Sequence, residues 1–192
     1  MRKLFGLATI VLFTAALGLA GQAKQHNDAF TAGPQNESDL ARKIRHELVT
    51  LPYYSIFTDL AFKVDNGVVT LEGACPPDPP YDIKKDAENV VKRIPGVTQV
   101  VNNIKELPLS NMDWQIRRAM VKAIYGDAQI GDRYGYQALP SIHIIVDNGH
   151  VTLTGFVATD SDKNLAGIRA SGAGMNFGVT NNLQVEHNSK NG

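Results

Sequence analysis

Few side chains in this 192-residue chain have the means to do chemistry: five histidines, a single cysteine, and the carboxylates beside two Asn-Gly turns. His143 and His150 come nearest to a metal-binding pair. Hairpin register puts His150 at a turn and His143 four pair-steps away, about 10–13 Å apart at ~3.3 Å per residue, too far to share one ion. His46 falls on the polar side of a helix, while His26 and His187 lie in terminal stretches, so the pattern favours solvated rings over ligands. Asp65 and Asp147 recur, yet Asp beside Asn-Gly is ordinary turn chemistry and the two sit in different halves of the chain. Cys75 begins Cys75-Pro76-Pro77-Asp78-Pro79-Pro80, which reads as an exposed stiff loop. As the only cysteine it forms no internal disulfide, and without a base whose position the sequence shows it reads as an incidental surface thiol. Gly-x-Ser-x-Gly, His-Glu-x-x-His and phosphate-binding glycine loops are missing, and Gly172-Ala173-Gly174 reads as a helix stop. No catalytic residue, metal site or cofactor is expected, and the chain is not read as an enzyme.

One stretch carries interaction chemistry instead. At ~100° per residue, a helix from Met112 places Met112, Ile116, Ala119, Met120, Ala123 and Ile124 on a core face. Opposite fall Trp114, Val121 and Tyr125, with Arg118 among them and Arg117 and Lys122 flanking. Such a stripe suits a membrane interface, with rings at headgroup depth and cations on anionic phosphate. The competing reading packs it against the first half of the chain or beneath a loop holding two tyrosines. In the first half Arg42 stands where Trp114 stands in the second.

What must position these residues is a repeated hairpin. Val64-Asp65-Asn66-Gly67-Val68-Val69-Thr70-Leu71-Glu72-Gly73 returns 82 residues later as Val146-Asp147-Asn148-Gly149-His150-Val151-Thr152-Leu153-Thr154-Gly155. Asn66-Gly67 and Asn148-Gly149 are type I′ turn pairs, since both central residues need positive φ. A two-residue turn sets Val64 opposite Val69, Phe62 opposite Leu71, Val146 opposite Val151 and Ile144 opposite Leu153. The other face carries Ala61, Lys63, Thr70 and Glu72 in one hairpin and His143, Thr152, Thr154 and the exception Ile145 in the other. Each sheet is therefore expected to be covered on one side only.

Around each hairpin the pattern is helix, strand, strand, helix, strand. Ser38 or Asp39 caps a helix whose Leu40, Ile44, Leu48 and Leu51 form one stripe, ended by Pro52. Tyr81 to Ile94 reads as a second helix and Val97 to Leu107 as a third strand. In the second half the first helix is offset by 72 residues and the hairpin by 82, so ten residues, Gly131 to Pro140, are inserted between them. Asp160 to Arg169 forms the second helix there, weakened by Gly167. Val100-Val101-Asn102-Asn103-Ile104 is matched by Val179-Thr180-Asn181-Asn182-Leu183. Each repeat supplies its own helical stripe and apolar sheet face, and so its own core.

At the N-terminus Arg2 and Lys3 precede the apolar run Leu4 to Leu19, and Gly21 and Ala23 follow, the pattern of a secretory signal peptide cut near Ala23, with Ala20 a second choice and a retained anchor the alternative. Its loss takes two from 19 basic residues against 19 acidic ones, leaving a nearly neutral chain with little electrostatic attraction for nucleic acid. The expected organisation is a signal peptide over 1–23, a flexible tether over 24–37, domains over 38–107 and 112–187 joined by a linker over 108–111, and a tail over 188–192.

The Asp-Asn-Gly hairpin with its Val-Thr-Leu-x-Gly strand, a helix, and a Val-x-Asn-x-Leu-type strand occur in order in both halves. This series resembles the BON domain, named for bacterial osmotically induced and nodulation proteins. Gly73, Gly96 and Gly155 match its glycines, whereas Gly174-Met175-Asn176-Phe177-Gly178 departs from the Pro-Gly-Val approach kept at Pro95-Gly96-Val97. The resemblance implies an α+β fold of two tandem αββαβ units, each a small mixed sheet with helices on one face. It also implies an envelope binding module, periplasmic or secreted, linked to osmotic stress, whose partner is a phospholipid membrane surface; the alternative is another envelope protein or the cell-wall polymer.

Overall fold

The computed structural model describes residues 27–28, 38–78 and 80–186. The signal peptide, most of the tether and the tail expected from sequence lie outside the described residues. The first repeat runs β1 (Asn27–Asp28), α1 (Asp39–Val49), β2 (Asp59–Asp65), β3 (Val68–Cys75), α2 (Ile83–Lys92), β4 (Gln99–Asn102) and β5 (Lys105–Glu106). The second runs α3 (Asn111–Tyr125), a single turn α4 (Ala128–Ile130) that continues into a π-helical turn (Gly131–Gly135), β6 (Ile142–Asp147), β7 (His150–Val157), α5 (Asp160–Gly172), β8 (Gly178–Asn181) and β9 (Gln184–Val185). Each long helix starts on a side-chain cap. Ser38 accepts from Ala41 N–H, Asp82 from Lys85, Ser110 from Asp113 and Thr159 from Asp162, satisfying donors that a helix leaves open.

Both hairpins have the register expected from their turns. Val64 pairs with Val69 and Phe62 with Leu71; Val146 pairs with Val151 and Ile144 with Leu153. Asn66 and Gly67 have φ of 50° and 83°, Asn148 and Gly149 of 49° and 81°. The sheets are mixed: β2–β3 and β6–β7 are antiparallel, while β4 and β5 pair parallel to β3, and β8 and β9 parallel to β7. The single closing strand expected in each repeat is thus two short strands. Asn102 breaks the first, turning its amide to Lys84 O at 2.8 Å while its side-chain oxygen accepts from Ile104 N–H. Asn181 makes the same latch to Lys163 O at 2.8 Å. Gly167 proves to serve that latch, because a Cβ there would lie 2.7 Å from the Asn181 amide nitrogen.

Each repeat has a core of its own, with helices on one face of its sheet. Ile44, Leu48, Phe62, Leu71, Ala87, Val91 and Ile104 form the first; Ile116, Met120, Ile124, Ile144, Leu153, Ala166, Ala170 and Leu183 form the second. The repeats also exchange side chains across a joint. Ile56 and Phe57 of the first repeat pack on the second core, and Leu139 of the second packs on the first. Lys105 Nζ meets Asp147 at 2.5 Å across the same joint.

Four expectations need correction. Asn27 and Asp28, within the stretch read as a tether, pair antiparallel with Phe62 and Ala61 on the outer edge of β2. Cys75 is buried at the end of β3 rather than exposed, and burial, aided by Glu106 and Asp82, pushes its thiol up to about 11. The far face of β6 is not open: His143 and Ile145 are both buried. His143 is therefore no solvated ring; Nδ1 lies 2.5 Å from Thr58 O, so the proton sits on that nitrogen, and Tyr54 approaches at 5.8 Å. The inserted residues are no slack loop either, because Tyr134 folds back into the core, leaving Tyr136 outside.

Candidate functional site

The surface that sequence nominates is α3, and its placement follows from the edge of β6. The N–H and C=O groups of Ile142, Ile144 and Val146 point away from β7, and an uncovered strand edge leaves such groups unsatisfied or open to another chain. Two side chains and one backbone carbonyl close it. Tyr125 Oη donates to Ile142 O at 2.5 Å, Ile144 N–H donates to Ile56 O at 2.7 Å, and Arg117 Nη2 donates to Val146 O at 2.8 Å. Burial pushes the Tyr125 phenol well above its ordinary range, against the opposing effect of that hydrogen bond.

Arg117 consequently sits inside the protein, fully buried, with its guanidinium carbon 5.0 Å from the Trp114 ring centroid. Burial lowers its pKa, while Asp113 and Asp147 act the other way. Its Nε and Nη1 have no hydrogen-bond partner among the described residues. Trp114 is half-buried and meets Phe57 of the first repeat edge-on, with centroids 5.8 Å apart and planes at 81°. Val121 and Tyr125 pack on the second core. Of the six nominated residues only Arg118 and Lys122 are exposed. The buried face of α3 is turned toward Asp113 and Arg117 relative to the hydrophobic stripe, because Asp113 caps the hairpin: it accepts from Gly149 N–H at 2.8 Å and Asn148 N–H at 3.0 Å.

What α3 shows to solvent is therefore Asn111, Met112, Gln115, Arg118 and Lys122. No carboxylate lies on that face, since Asp113, the helix's single acid, is buried beneath the turn. The counterpart helix α1 differs at the decisive positions: Asp39 and Glu47 stand where α3 has Asn111 and Ala119, and Asp39 pairs with Arg42. Beside α3 lies a groove of about 550 Å³ lined by Lys122, Ala123, Asp127, Ile168 and Arg169, with Arg169 bound to Asp127 at 2.7 Å and Ile168 open to solvent.

The turn residues Asn66, Gly67, Asn148 and Gly149 act as backbone elements, as do Gly73 and Gly155, whose φ values are 112° and 95°. Sequence reasoning missed the α5–β8 connection as a surface. Met175 and Phe177 are both largely exposed there, and Phe177 meets His150 edge-on at 5.9 Å. The signal was present as the departure at Gly174-Met175-Asn176-Phe177-Gly178. Among the described residues no three or more His, Cys, Asp or Glu side chains gather as for a metal, and no helix is long and apolar enough to cross a membrane. The chemistry on offer is recognition through a cationic helix face and exposed apolar side chains.

Comparison with known proteins gives a family match. The BON domain model matches twice, over residues 36–108 and 115–187. The C-terminal domain of CdsD, a structural protein of the type III secretion system of Chlamydia trachomatis, is similar at 14% identity, covering 79% of this chain and 99% of that chain with a TM-score of 0.27. A second CdsD structure covers 78% of this chain and 94% of its own at the same identity and TM-score. At that TM-score the likeness carries no argument. No curated protein sequence matches.

Proposed function

The chain belongs to the BON domain family, and from that premise we propose that it is a non-enzymatic binding module of the cell envelope. It acts in the periplasm or outside the cell and docks on anionic phospholipid through the outward face of α3. The N-terminal processing pattern supports the location, and an osmotic or envelope-stress role fits the family. The observation that carries the lipid reading is the charge of α3: Arg118 and Lys122 are exposed on a face without a carboxylate, where the first repeat's helix interleaves Asp39 and Glu47 with its cations. A cation near an anionic bilayer contributes about 1 kcal/mol, so two suit weak, salt-sensitive docking rather than permanent anchoring.

Co-sedimentation of the processed protein with vesicles containing or lacking anionic lipid tests this. Binding is expected only with anionic lipid and should weaken as salt rises. Replacing both Arg118 and Lys122 by Gln should lower partition on the order of 30-fold, two contributions of about 1 kcal/mol. Equal binding to neutral vesicles, or none to either, would move the assignment to an envelope-protein partner.

A further inference from the structure

The connection that leads from the second helix into the closing strand differs between the repeats in side chains and in backbone, Gly174 taking φ of 66° where Pro95 stands in the first. In the first repeat this connection holds Gly96 and Thr98; aligned on Val100 and Val179, the second has Met175 and Phe177. The hydrogen bond to the hairpin turn is shared, Thr98 N–H donating to Gly67 O at 2.8 Å and Phe177 N–H to Gly149 O at 2.9 Å. Gly96 takes φ of 100° at no steric cost, whereas Met175 takes φ of 60°, a region a side chain enters only under constraint. An apolar residue is thus held in a strained conformation at a place where glycine would relieve it, and that strain gains it no burial. Met175 is 57% exposed and Phe177 66%.

Met112 belongs to the same tip. Its neighbour Asp113 accepts from Gly149 N–H while Gly149 O accepts from Phe177 N–H, so the start of α3 and this connection meet at the hairpin turn. Met112, 43% exposed, is continuous with the cationic face of α3, while the carboxylates of Asp132 and Asp160 stand exposed at the opposite end of the domain, beside the inserted turn and the start of α5. Of the acids at the tip, Asp113 is buried on the N–H groups of Asn148 and Gly149, and Asp147 is engaged by Lys105. His150, beside Phe177, is the titratable group that faces the tip. Among the described residues the end that carries Met175 and Phe177 therefore shows no unpaired carboxylate, while the opposite end shows Asp132 and Asp160 beside Tyr136.

We propose that Met175 and Phe177, with Met112 beside them, form a wedge that enters the acyl region of an anionic bilayer once Arg118 and Lys122 have brought α3 to its surface. This rests on the lipid reading above and adds the depth and orientation of docking: the hairpin tip of the second repeat points into the membrane and the acidic end points away. Protruding apolar side chains contribute through area removed from water, which salt does not screen, so the wedge supplies the part of binding that survives raised ionic strength.

The test transplants the first repeat's residues, Met175→Gly with Phe177→Thr, which relieves the strained φ and keeps the fold. The double variant should melt no lower than the parent, and its partition onto anionic vesicles should fall at least about tenfold at raised salt. In parallel, Phe177→Cys carries an environment-sensitive dye, the native Cys75 being buried. Its emission should shift to the blue with anionic vesicles. If the parent binds, Arg118→Gln with Lys122→Gln weakens it, and yet the transplant binds equally and the dye does not shift, the wedge is wrong while surface docking stands. If the parent itself does not bind, both fall together.

Discussion

The joint between the repeats rests on Phe57, and Phe57→Ala measures what it is worth. A fully buried Phe→Ala costs about 3–5 kcal/mol, and Phe57 is half-buried, so about 2 kcal/mol of burial is at stake. The edge-on contact with Trp114 adds about 1 kcal/mol. Some 2–3 kcal/mol of coupling then links the repeats, and for a domain of this size its loss lowers the melting temperature of the second repeat on the order of 10 °C. Trp114 is the sole tryptophan and reports the joint directly. In the parent its emission should already be blue-shifted, with the two repeats melting in one transition. In Phe57→Ala the emission should move to the red and the second repeat should melt first, as its β6 edge loses the loop that carries Ile56. An unchanged emission maximum together with a single unchanged transition would refute the reasoning.

Three further outcomes concern the hairpin glycines, Gly172 and Asp162. Gly73→Ala and Gly155→Ala should each cost more than about 3 kcal/mol in thermal or denaturant unfolding, because the new Cβ would lie 2.1 Å from Asp59 O and 2.0 Å from Ser141 O, backbone atoms that cannot yield. Gly172→Ala, with nothing within 4 Å, should be neutral or stabilising. Asp162 is buried, and although burial disfavours its charge, hydrogen bonds from Gln129, Tyr134, Thr159 and Arg133 hold its pKa below the ordinary value. A lowered folded pKa means its contribution is complete above the unfolded value of ~3.9 and disappears as pH falls through the folded one. The melting temperature of the second repeat should therefore fall below about pH 4, and Asp162→Asn should lower its stability by about 3 kcal/mol at neutral pH while flattening that acid dependence.

The repeat, the hairpins and their register were legible because each rests on local chemistry. Asn66-Gly67 and Asn148-Gly149 can take the two positive φ values that a two-residue turn requires, and every cross-strand pair then follows by counting. The cores were legible for the same reason, since Ile44 and Leu48, like Ile116 and Met120, recur at helical spacing. Cys75 was misread because its proline neighbours describe the loop after it, whereas its own side chain closes the strand before it. The inserted residues were misread because Tyr134 earns its buried place through distant partners: its hydroxyl donates to Asp162 at 2.9 Å and accepts from Ala158 N–H at 2.9 Å. Nothing local to Gly131-Asp132-Arg133-Tyr134-Gly135 states that.

The α3 stripe was read two ways, and the packing of Trp114, Val121 and Tyr125 follows the one that sets it inside the protein, for a specific cause. Hydrophobicity on a wheel treats arginine as a surface residue, yet β6 needs donors along its outer edge, and Arg117 can bring a donor to Val146 O where an aliphatic side chain cannot. The sequence held a hint in Ile142-His143-Ile144-Ile145-Val146, a strand apolar on both faces except at one histidine and so buried on both, in contrast to the alternating Val151-Thr152-Leu153-Thr154. A doubly buried edge strand implies that something covers it, and the cationic and aromatic residues of the adjoining helix were the candidates. Arg117 and Tyr125 are taken up by that task, and Trp114 by Phe57 of the first repeat. Arg45, at the equivalent place in the first repeat, lies over Phe62 at 5.4 Å, where Asn27 and Asp28 pair with the edge of β2 instead. The first repeat closes its edge with backbone and keeps a mixed-charge helix. The second closes its edge with side chains and a loop from its neighbour, leaving Arg118 and Lys122 as the cations still facing outward on α3.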